Sequence, residues 1–219
     1  MDIYEAKRHS MVERFVKGLG VTDEKVLDAM RKIPRHMFVE PALASRAYDD
    51  YAAPIGSGQT ITKPYTVGLL AQTAKLTGKE KVLEVGTGSG YTAAALGLLS
   101  DKVYTIEKIK ALSNNARKVF NRLNYKNIVC LTGDGTKGSA KYAPYDVIVV
   151  TAGSPTIPAP LARQLKEGGR MVIPVGNGKQ QSLHLIRRKG ERFVVTKIEE
   201  CSFVPLMGEH GWKEKPLKY

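Results

Sequence analysis

A glycine-rich segment near the middle of the chain constrains the fold more than any other feature. Residues 81–85 form an apolar run typical of a buried strand, and residues 92–99 favour a helix. Between them stand three glycines, Gly86, Gly88 and Gly90. Glycine permits a sharp backbone turn and a close approach by a ligand, and the unpaired N–H groups of a new helix face that ligand. The segment therefore predicts a strand, a tight turn and a helix that bind a nucleotide-like ligand.

The spacing of these glycines differs from the dinucleotide fingerprint. That fingerprint is G-x-G-x-x-G, whereas this chain has G-x-G-x-G, with Tyr91 in the position of the later glycine. Preceded by the acidic Glu84, the segment resembles the cofactor loop of the class I methyltransferases that use S-adenosylmethionine. A purely structural turn between strand and helix is the alternative. The resemblance implies that the following residues bind the cofactor: Glu84, Gly86, Thr87, Gly88, Gly90 and Tyr91.

An acidic residue follows the loop at a distance typical of nucleotide-binding units. Residues 102–107 alternate as a second strand and end at Glu107, which lies 21 residues beyond Gly86. In such units an acid about 20 residues further on accepts hydrogen bonds from the ribose hydroxyls. Glu107 is therefore predicted to bind the cofactor, although it could instead cap the helix predicted over residues 109–123.

A third strand, predicted over residues 127–131, runs into an acidic loop with two glycines. Ligands bind at the carboxyl edge of a parallel sheet, and this loop falls at that edge. Asp134 is therefore placed to accept a hydrogen bond from an adenine amino group, while Gly133 and Gly135 let the base approach. An ordinary Asp-Gly turn is the alternative.

The succession of strands and helices predicts an α/β fold with a doubly wound, mostly parallel sheet. A fourth strand is expected over residues 145–150, then a helix over 157–165 and a strand over 170–174. Residues 182–188 and 193–198 alternate like strands, and the turn between them is too short for a helix. They should therefore form a C-terminal antiparallel hairpin, which fits methyltransferases better than dehydrogenases.

The start of the chain predicts a helical extension. One amphipathic helix is expected over residues 4–17, and a second follows, capped by Thr22 and ended by Pro34. Residues 34–57 show no sustained period and are expected to be irregular. We expect a single methyltransferase domain over 1–219, with 1–57 as the N-terminal extension and 58–219 as the cofactor-binding core and hairpin.

Composition narrows the class of protein. No apolar run approaches the ~20 residues that a membrane span needs, and the start of the chain lacks the apolar core of a signal peptide. A cytoplasmic protein with no membrane partner is expected. The two cysteines, Cys130 and Cys201, imply neither a disulfide framework nor a metal cluster, so we expect core thiols and no metal.

The net charge keeps a nucleic-acid substrate open as an alternative. Lys and Arg total 34 against 21 Asp and Glu, a formal charge of +13, which would attract nucleic acid electrostatically. These charges are spread along the chain, and no stretch interleaves them with aromatic residues as a stacking platform would. The spacing favours a solvated basic surface and no specific nucleic-acid partner.

Thr62 stands ahead of a helical run over residues 65–77, where an N-cap is expected. Pro64 is tolerated in a first helical turn, because the N–H group that it lacks would have no partner there. The simple interpretation is that Thr62 caps the helix. The second is that this helix start, with its backbone donors and dipole, binds a carboxylate.

Taken together, these segments resemble the protein-L-isoaspartate (D-aspartate) O-methyltransferase family over nearly the whole chain. The most specific element is Pro-Ile-Gly-Ser-Gly-Gln-Thr-Ile-Thr at 54–62, and segments 34–38, 133–135, 170–174 and 203–206 support it. The resemblance implies that Thr62 is the active-site residue, with Gln59, Thr60 and Ile61 beside it at the substrate. Many family members have serine at this position. Threonine keeps the hydroxyl, but its extra methyl group restricts the rotamers.

The resemblance also implies a substrate and a reaction. The partners would be proteins and peptides that contain L-isoaspartyl residues, methylated at the free α-carboxylate by S-adenosylmethionine, with S-adenosylhomocysteine as the coproduct. A carboxylate is ionised at neutral pH, so no strong base is needed and catalysis is mostly positioning, worth roughly 7 to 11 kcal/mol. Thr62 would orient the carboxylate and act neither as nucleophile nor as base. A monomer is expected.

Three other functions share parts of this pattern. A nucleic-acid methyltransferase that acts on a base amine often has Asn/Asp-Pro-Pro-aromatic after the fourth strand, whereas residues 151–154 read Thr-Ala-Gly-Ser. A sensor protein would keep the fold and bind S-adenosylmethionine without transferring its methyl group. A nicotinamide dehydrogenase fits least, because of the glycine spacing and the terminal hairpin.

Overall fold

A seven-stranded sheet forms the centre of the computed structural model, which describes residues 3–177 and 180–213. Its strands are β3 (Lys81–Val85), β4 (Lys102–Glu107), β5 (Ile128–Thr132), β6 (Tyr145–Val150), β7 (Leu165–Gly176), β8 (Gln181–Lys189) and β9 (Arg192–Cys201). A separate two-stranded sheet pairs β1 (Pro54–Gly56) with β2 (Gln59–Thr60). The helices are α1 (Glu5–Phe15), α2 (Glu24–Lys32), α3 (Pro64–Ala74), α4 (Tyr91–Leu99), α5 (Lys110–Arg122) and α6 (Ala159–Arg163).

The sheet has the order β5-β4-β3-β6-β7-β8-β9. The pairs from β5 through β7 are parallel, and β7-β8 and β8-β9 are antiparallel. The predicted α/β class and the antiparallel hairpin are therefore confirmed. Because β3 pairs with both β4 and β6, the order reverses between β3 and β6, and such a switch point opens a crevice at the carboxyl edge.

Alternation along the strands divides the core into two layers. On β3, Val82 packs in the layer formed with α1 to α5, whereas Leu83 and Val85 pack on the opposite face with residues of α6 and the C-terminal segment. Because side chains alternate between the faces of a strand, Glu84 shares the face of Val82. The helices of the N-terminal extension thus pack in the same apolar layer as the sheet.

The second helix is capped one residue later than the sequence predicts. Asp23, not Thr22, is the N-cap, and its carboxylate accepts the Lys25 N–H at 3.0 Å. The Thr22 N–H instead donates to Gln72 Oε1 on α3 at 2.7 Å. The Asp23 N–H donates to the same Gln72 oxygen at 2.9 Å, so a tertiary contact between helices fixes the backbone where α2 begins.

Two other predictions need correction. The segment 34–57, predicted to be irregular, contains 3₁₀ turns at Arg35–Phe38 and Pro41–Arg46 and ends in β1. The helix predicted over 157–165 is only α6, because Pro158 is its N-cap and β7 already begins at Leu165. Gly168 adopts a positive φ of 72° inside that strand, where the register shifts, so the pairing starts earlier than the predicted residue 170.

Candidate active site

A cavity of about 320 Å³ opens at the carboxyl edge of the sheet, where β3 and β6 meet. It brings together one group of residues that the sequence predicts to be functional: Gln59, Thr60, Thr62, Gly86, Thr87, Gly88, Glu107 and Gly135. The remaining predicted residues do not line it: Ile61, Glu84, Gly90, Tyr91, Gly133 and Asp134. The cavity is of the size that small-ligand sites usually have.

The glycine loop adopts backbone conformations that favour glycine. Gly86, Gly88 and Gly90 have φ values of 100°, 52° and 91°. A Cβ atom on Gly86 would lie 2.5 Å from Thr151 Oγ1, whose hydroxyl donates to the carbonyls of Val85 and Gly86 at 3.0 and 2.6 Å. The loop therefore packs directly on the end of β6, and any side chain at Gly86 would separate the two.

Glu107 lies at the end of β4 and joins the glycine loop to the start of α5. Its carboxylate accepts the Gly88 N–H and the Ile109 N–H, each at 2.9 Å. Glu107 is buried, with 8% of its surface exposed, yet it lines the cavity. Each carboxylate oxygen has a second lone pair, so Glu107 can still accept hydrogen bonds from a ligand hydroxyl.

Thr62 lies at the opposite wall, between β2 and α3. The N-cap of α3 is Lys63, without a side-chain capping bond, and Pro64 occupies the first helical turn. The simple interpretation of Thr62 as the cap is therefore wrong, because the helix begins one residue later than the capping position requires. The residue is half-buried and lines the cavity with Gln59 and Thr60, whereas Ile61 points into the core with 1% exposed.

Glu84 is fully buried beneath the loop, since its position on β3 directs it into the helical layer. Its Oε2 accepts the Thr105 hydroxyl at 2.5 Å, and Thr105 is 2.5 Å from the hydroxyl of Thr87, which lines the cavity. Among the described residues, Glu84 Oε1 has no hydrogen-bond partner. Burial raises the pKa of Glu84 to about 8, while the Thr105 hydrogen bond opposes the shift and Glu107 adds to it.

Asp134 anchors the C-terminal segment. Its Oδ1 accepts the Thr136 N–H at 2.9 Å and the Thr136 hydroxyl at 2.6 Å, and its Oδ2 accepts the Glu209 N–H at 2.9 Å. Burial raises the pKa of Asp134, but these hydrogen bonds outweigh it and lower the pKa overall. Gly208 packs so tightly that a Cβ there would lie 2.1 Å from Asp134 Oδ1. These contacts form a local turn at Asp134 and hold residues 208–210 against it, while the hydrogen bond from an adenine amino group to Asp134 stays a prediction.

The other predicted residues support the cavity from behind. Gly90 packs on α5, where an added Cβ would lie 2.7 Å from Phe120 Cζ. Tyr91 is 1% exposed, and its ring lies 5.7 Å from that of Phe38. The Gly133 N–H donates to the Glu107 carbonyl at 2.9 Å and so continues the strand pairing.

Sequence reasoning missed a third wall, which the C-terminal segment supplies. Val204, Leu206 and Met207 line the cavity. The Leu206 N–H donates to the Gly153 carbonyl at 2.8 Å, and the Trp212 indole N–H donates to the same carbonyl at 2.9 Å. Only the resemblance at 203–206 marked this region in the sequence, since its pattern carries no ligand signal. The end of the tail, residues 214–219, lies outside the described residues.

These residues fit S-adenosylmethionine by shape and by chemistry. Ile106, Ile109 and Leu206 offer apolar surface for a flat base, and Glu107 offers carboxylate acceptors for hydroxyls. Gly135 packs against Val85, where an added Cβ would lie 2.6 Å from Cγ1. A residue larger than glycine does not fit at this position. The cavity wall at Gly135 therefore stays close to the sheet, and the cavity stays open.

Neither a metal-binding cluster nor a membrane-spanning helix is present among the described residues. Side chains of His, Cys, Asp and Glu do not gather in any group of three that could hold a metal ion. None of the helices within residues 3–177 and 180–213 has both the length and the apolar character needed to cross a membrane.

The fold and site define a class I, Rossmann-like methyltransferase that uses S-adenosylmethionine. A Plasmodium falciparum structure in complex with S-adenosyl-L-homocysteine superimposes with a TM-score of 0.77 at 23% identity, over 91% of this chain and 98% of that one. The family model for protein-L-isoaspartate(D-aspartate) O-methyltransferase matches residues 6–211. The chain therefore belongs to the protein-L-isoaspartate O-methyltransferase family.

Individual relatives agree with this family. A protein-L-isoaspartate O-methyltransferase of Syntrophus aciditrophicus is 48% identical over 215 residues, which is 97% of this chain and 99% of the relative. One of Dictyoglomus thermophilum is 49% identical and covers 96% of each chain. A solved protein-L-isoaspartate O-methyltransferase has a TM-score of 0.82 at 28% identity and covers 93% of this chain and 67% of that chain.

Proposed function

We propose that this chain repairs damaged proteins by methylating the free α-carboxylate of L-isoaspartyl residues. The observation that carries the proposal is that Thr62 and the glycine loop open into one cavity, in a chain that belongs to the protein-L-isoaspartate O-methyltransferase family. The family match favours this carboxyl chemistry and gives no support to the nucleic-acid alternative.

Thr62 would hold the substrate carboxylate. Its hydroxyl is not used for capping, so it is available to donate to a carboxylate oxygen. Thr62 also precedes the first turn of α3, an 11-residue helix whose N-terminal dipole favours negative charge. Gln59 and Thr60 line the same side and would contact the substrate, and Ile61 would support them from the core. No base is required, because a carboxylate is already ionised at neutral pH.

The opposite wall would hold the cofactor. S-adenosylmethionine supplies an electrophilic methyl group on a sulfonium centre. Gly86, Thr87 and Gly88 would contact it along the loop, Glu107 would accept hydrogen bonds from its ribose hydroxyls, and Gly135 would border its base. The predicted residues that do not line the cavity would keep these groups in place: Glu84, Gly90, Tyr91, Gly133 and Asp134.

The product chemistry accounts for repair. Esterification converts the α-carboxylate into a methyl ester, whose methoxide is a better leaving group than an oxide. The next amide nitrogen of the peptide attacks the ester carbonyl, loses its proton and releases methanol, which forms a succinimide. Water then opens the succinimide, and part of the product is normal aspartate. S-adenosylhomocysteine is the coproduct of the transfer.

The same proposal includes the protein's partners, its compartment and its oligomeric state. The partners are isoaspartyl proteins and peptides, with no specific nucleic acid. We place the protein in the cytoplasm as a monomer, in which residues 1–219 form one domain. Both cysteines are free thiols, as in proteins of a reducing compartment. Light scattering of the purified protein would test the monomer.

The decisive experiment compares two synthetic peptides that differ only in L-isoaspartate against L-aspartate. Labelled S-adenosylmethionine is added, and transfer is measured as methanol released by base. We expect label in the isoaspartyl peptide alone. Transfer to an oligonucleotide in a parallel reaction, with neither peptide labelled, would contradict the proposal and favour the nucleic-acid alternative. Cofactor binding without any transfer would favour a sensor.

A further inference from the structure

Arg35 is a buried cation that the reaction described above does not use. It lies in the 3₁₀ turn Arg35–Phe38 of the N-terminal extension, and only 1% of its surface is exposed. Burial lowers the pKa of its guanidinium, although the neighbouring Tyr91 opposes this shift. Placing a charge in a protein core costs free energy, and an apolar side chain would fill the same space without that cost. Its contacts should therefore explain why an arginine stands here.

The guanidinium connects three separate segments of the chain. Its Nε donates to the Ala47 carbonyl at 2.8 Å, which ties it to the extension. Its Nη1 donates to the Thr62 carbonyl at 2.9 Å, which ties it to the segment that lines the cavity. Its central carbon lies 4.6 Å from the centre of the Tyr91 ring, a cation–π contact.

Two of these segments, the one with Thr62 and the one with Tyr91, contribute lining residues to the active-site cavity. Thr62 is the residue proposed to hold the substrate carboxylate. Tyr91 is the first residue of α4 and directly follows Gly90, the last glycine of the cofactor loop. One flat, rigid group therefore spans the distance between the substrate wall and the cofactor wall from behind.

We propose that Arg35 is a positioning residue that sets the Thr62 segment against the cofactor loop. The proposal rests on the proposed function, since it concerns the geometry of that methyl transfer. In-line displacement requires the carboxylate oxygen and the methyl group to be aligned, and a misplacement of about 1 Å can cost on the order of 10²-fold in rate. Arginine suits the task because its fork holds two acceptors in a fixed plane while one face stacks on a ring.

The substitution Arg35→Lys distinguishes a positioning role from the effects of charge and side-chain size. Lysine keeps the cation and most of the stem, but a single nitrogen replaces the two guanidinium nitrogens at fixed spacing, and it has no planar face to stack on the Tyr91 ring. Arg170 offers a matched control. Arg35 holds the Thr62 carbonyl just before α3 begins, whereas Arg170 holds carbonyls where α3 ends. Its Nε donates to the Ala74 carbonyl and its Nη2 donates to the Lys75 carbonyl at 2.7 Å, at the C-terminal end of α3.

The experiment compares Arg35→Lys with Arg170→Lys. For each variant kcat and KM are measured with the isoaspartyl peptide, the Kd with S-adenosylhomocysteine, and the Tm by thermal unfolding. We expect both variants to lose Tm, whereas only Arg35→Lys loses kcat, on the order of 10²-fold. Its Kd for S-adenosylhomocysteine should stay close to that of the wild type, because each wall still binds its own ligand.

Two results would overturn the positioning role. One is a kcat for Arg35→Lys equal to that for Arg170→Lys. The other is a Kd for S-adenosylhomocysteine that rises by the same factor as kcat falls, which would make Arg35 a support of the cofactor loop alone. A wild-type protein that methylates no isoaspartyl peptide would overturn the proposed function itself, and this inference with it.

A second pair of variants tests the same role if Arg35→Lys does not fold. Tyr91→Leu removes the ring face on which the guanidinium rests, and Tyr91→Phe keeps it. We expect Tyr91→Leu to lower kcat clearly more than Tyr91→Phe does, with similar effects on the Kd for S-adenosylhomocysteine. Equal kcat values for the two variants would contradict the link between Arg35 and the cofactor loop.

Discussion

The two long walls of the cavity are built in different ways. Much of the cofactor wall comes from one stretch of sequence, since β3, the glycine loop and β4 contribute residues from 81–107, and Gly135 is added from the loop after β5. The substrate wall depends on remote partners. The Thr62 carbonyl accepts a hydrogen bond from Arg35, which lies 27 residues earlier in the chain. The third wall, at residues 204–207, comes from the C-terminal segment.

The two walls therefore place their functional groups by different physical means. On the cofactor wall, backbone conformation and strand register place the groups, and the Glu107 carboxylate, at the end of its strand, holds the glycine loop. On the substrate wall, individual side-chain hydrogen bonds to distant carbonyls place the groups. Substitutions should therefore act through backbone strain on the first wall and through alignment on the second.

Gly86→Ala should give the largest effect and act through the backbone. A side chain at φ 100° is strained by about 1 to 3 kcal/mol, and the new Cβ would lie 2.5 Å from Thr151 Oγ1, an overpacking that costs a further ~1 to 3 kcal/mol. Urea unfolding should report this loss, and titration with S-adenosylhomocysteine should report weaker binding.

Gly78→Ala is the matched control for that variant. Gly78 has a similar φ of 98°, but nothing lies within 4 Å of a Cβ placed there. Gly78→Ala should therefore be destabilised only by the strain of its backbone conformation, and it should bind S-adenosylhomocysteine normally. Equal losses in both variants would mean that contact between the loop and Thr151 does not shape the cofactor wall.

Thr62→Val should give the next largest effect and act on the reaction with the peptide, without changing binding at the cofactor wall. It keeps the shape but removes the hydroxyl, and a hydrogen bond to a charged group contributes about 1.5 to 3 kcal/mol. We expect kcat/KM for the isoaspartyl peptide to fall roughly 10- to 150-fold, while the Kd for S-adenosylhomocysteine is unchanged. Thr62→Ser, which keeps the hydroxyl, should retain most of the activity. A fully active Thr62→Val variant would remove Thr62 from the mechanism.

Glu84→Gln should have the smallest effect on activity and a clear effect on pH dependence. The pKa of Glu84 is raised from 4.5 to about 8, so the native state keeps a proton that the unfolded chain releases. The free energy of unfolding of the wild type should therefore decline as pH rises from about 4.5 to about 8. Glutamine cannot titrate, so the variant should gain stability relative to the wild type over that range.

Glu80 provides a control of opposite sign for this pH experiment. Burial raises its pKa, but hydrogen bonds from Thr77 and Lys79 outweigh burial and lower the pKa overall. Its contribution to stability is therefore present above its unfolded pKa and lost as pH falls through its folded pKa. Glu80→Gln should consequently lose stability relative to the wild type at neutral pH and lose less in acid. Parallel pH profiles for the two variants would contradict the buried, protonated state of Glu84.

Local patterns in the sequence were enough to predict the centre of the fold. β3, β4 and β6 begin and end at the residues that the sequence predicts, because apolar residues recur along each of them at positions buried in the sheet. The glycine loop and the C-terminal hairpin were equally predictable, since turn residues and alternation act over a few neighbouring positions. The placement of Glu107 at the cavity followed from the same register, and its contact with the cofactor stays a prediction.

Only the tertiary structure decided which polar residues face the cavity. The Glu84 side chain points away from the cavity because it lies on the face of β3 that packs against the helices. Asp134 accepts the backbone N–H of Glu209, which lies 75 residues later in the chain. Arg35 and the residues at 204–207 reach the site in the same way, through partners far away in sequence. No local period encodes such contacts, because they depend on how the packed layers bring distant segments together.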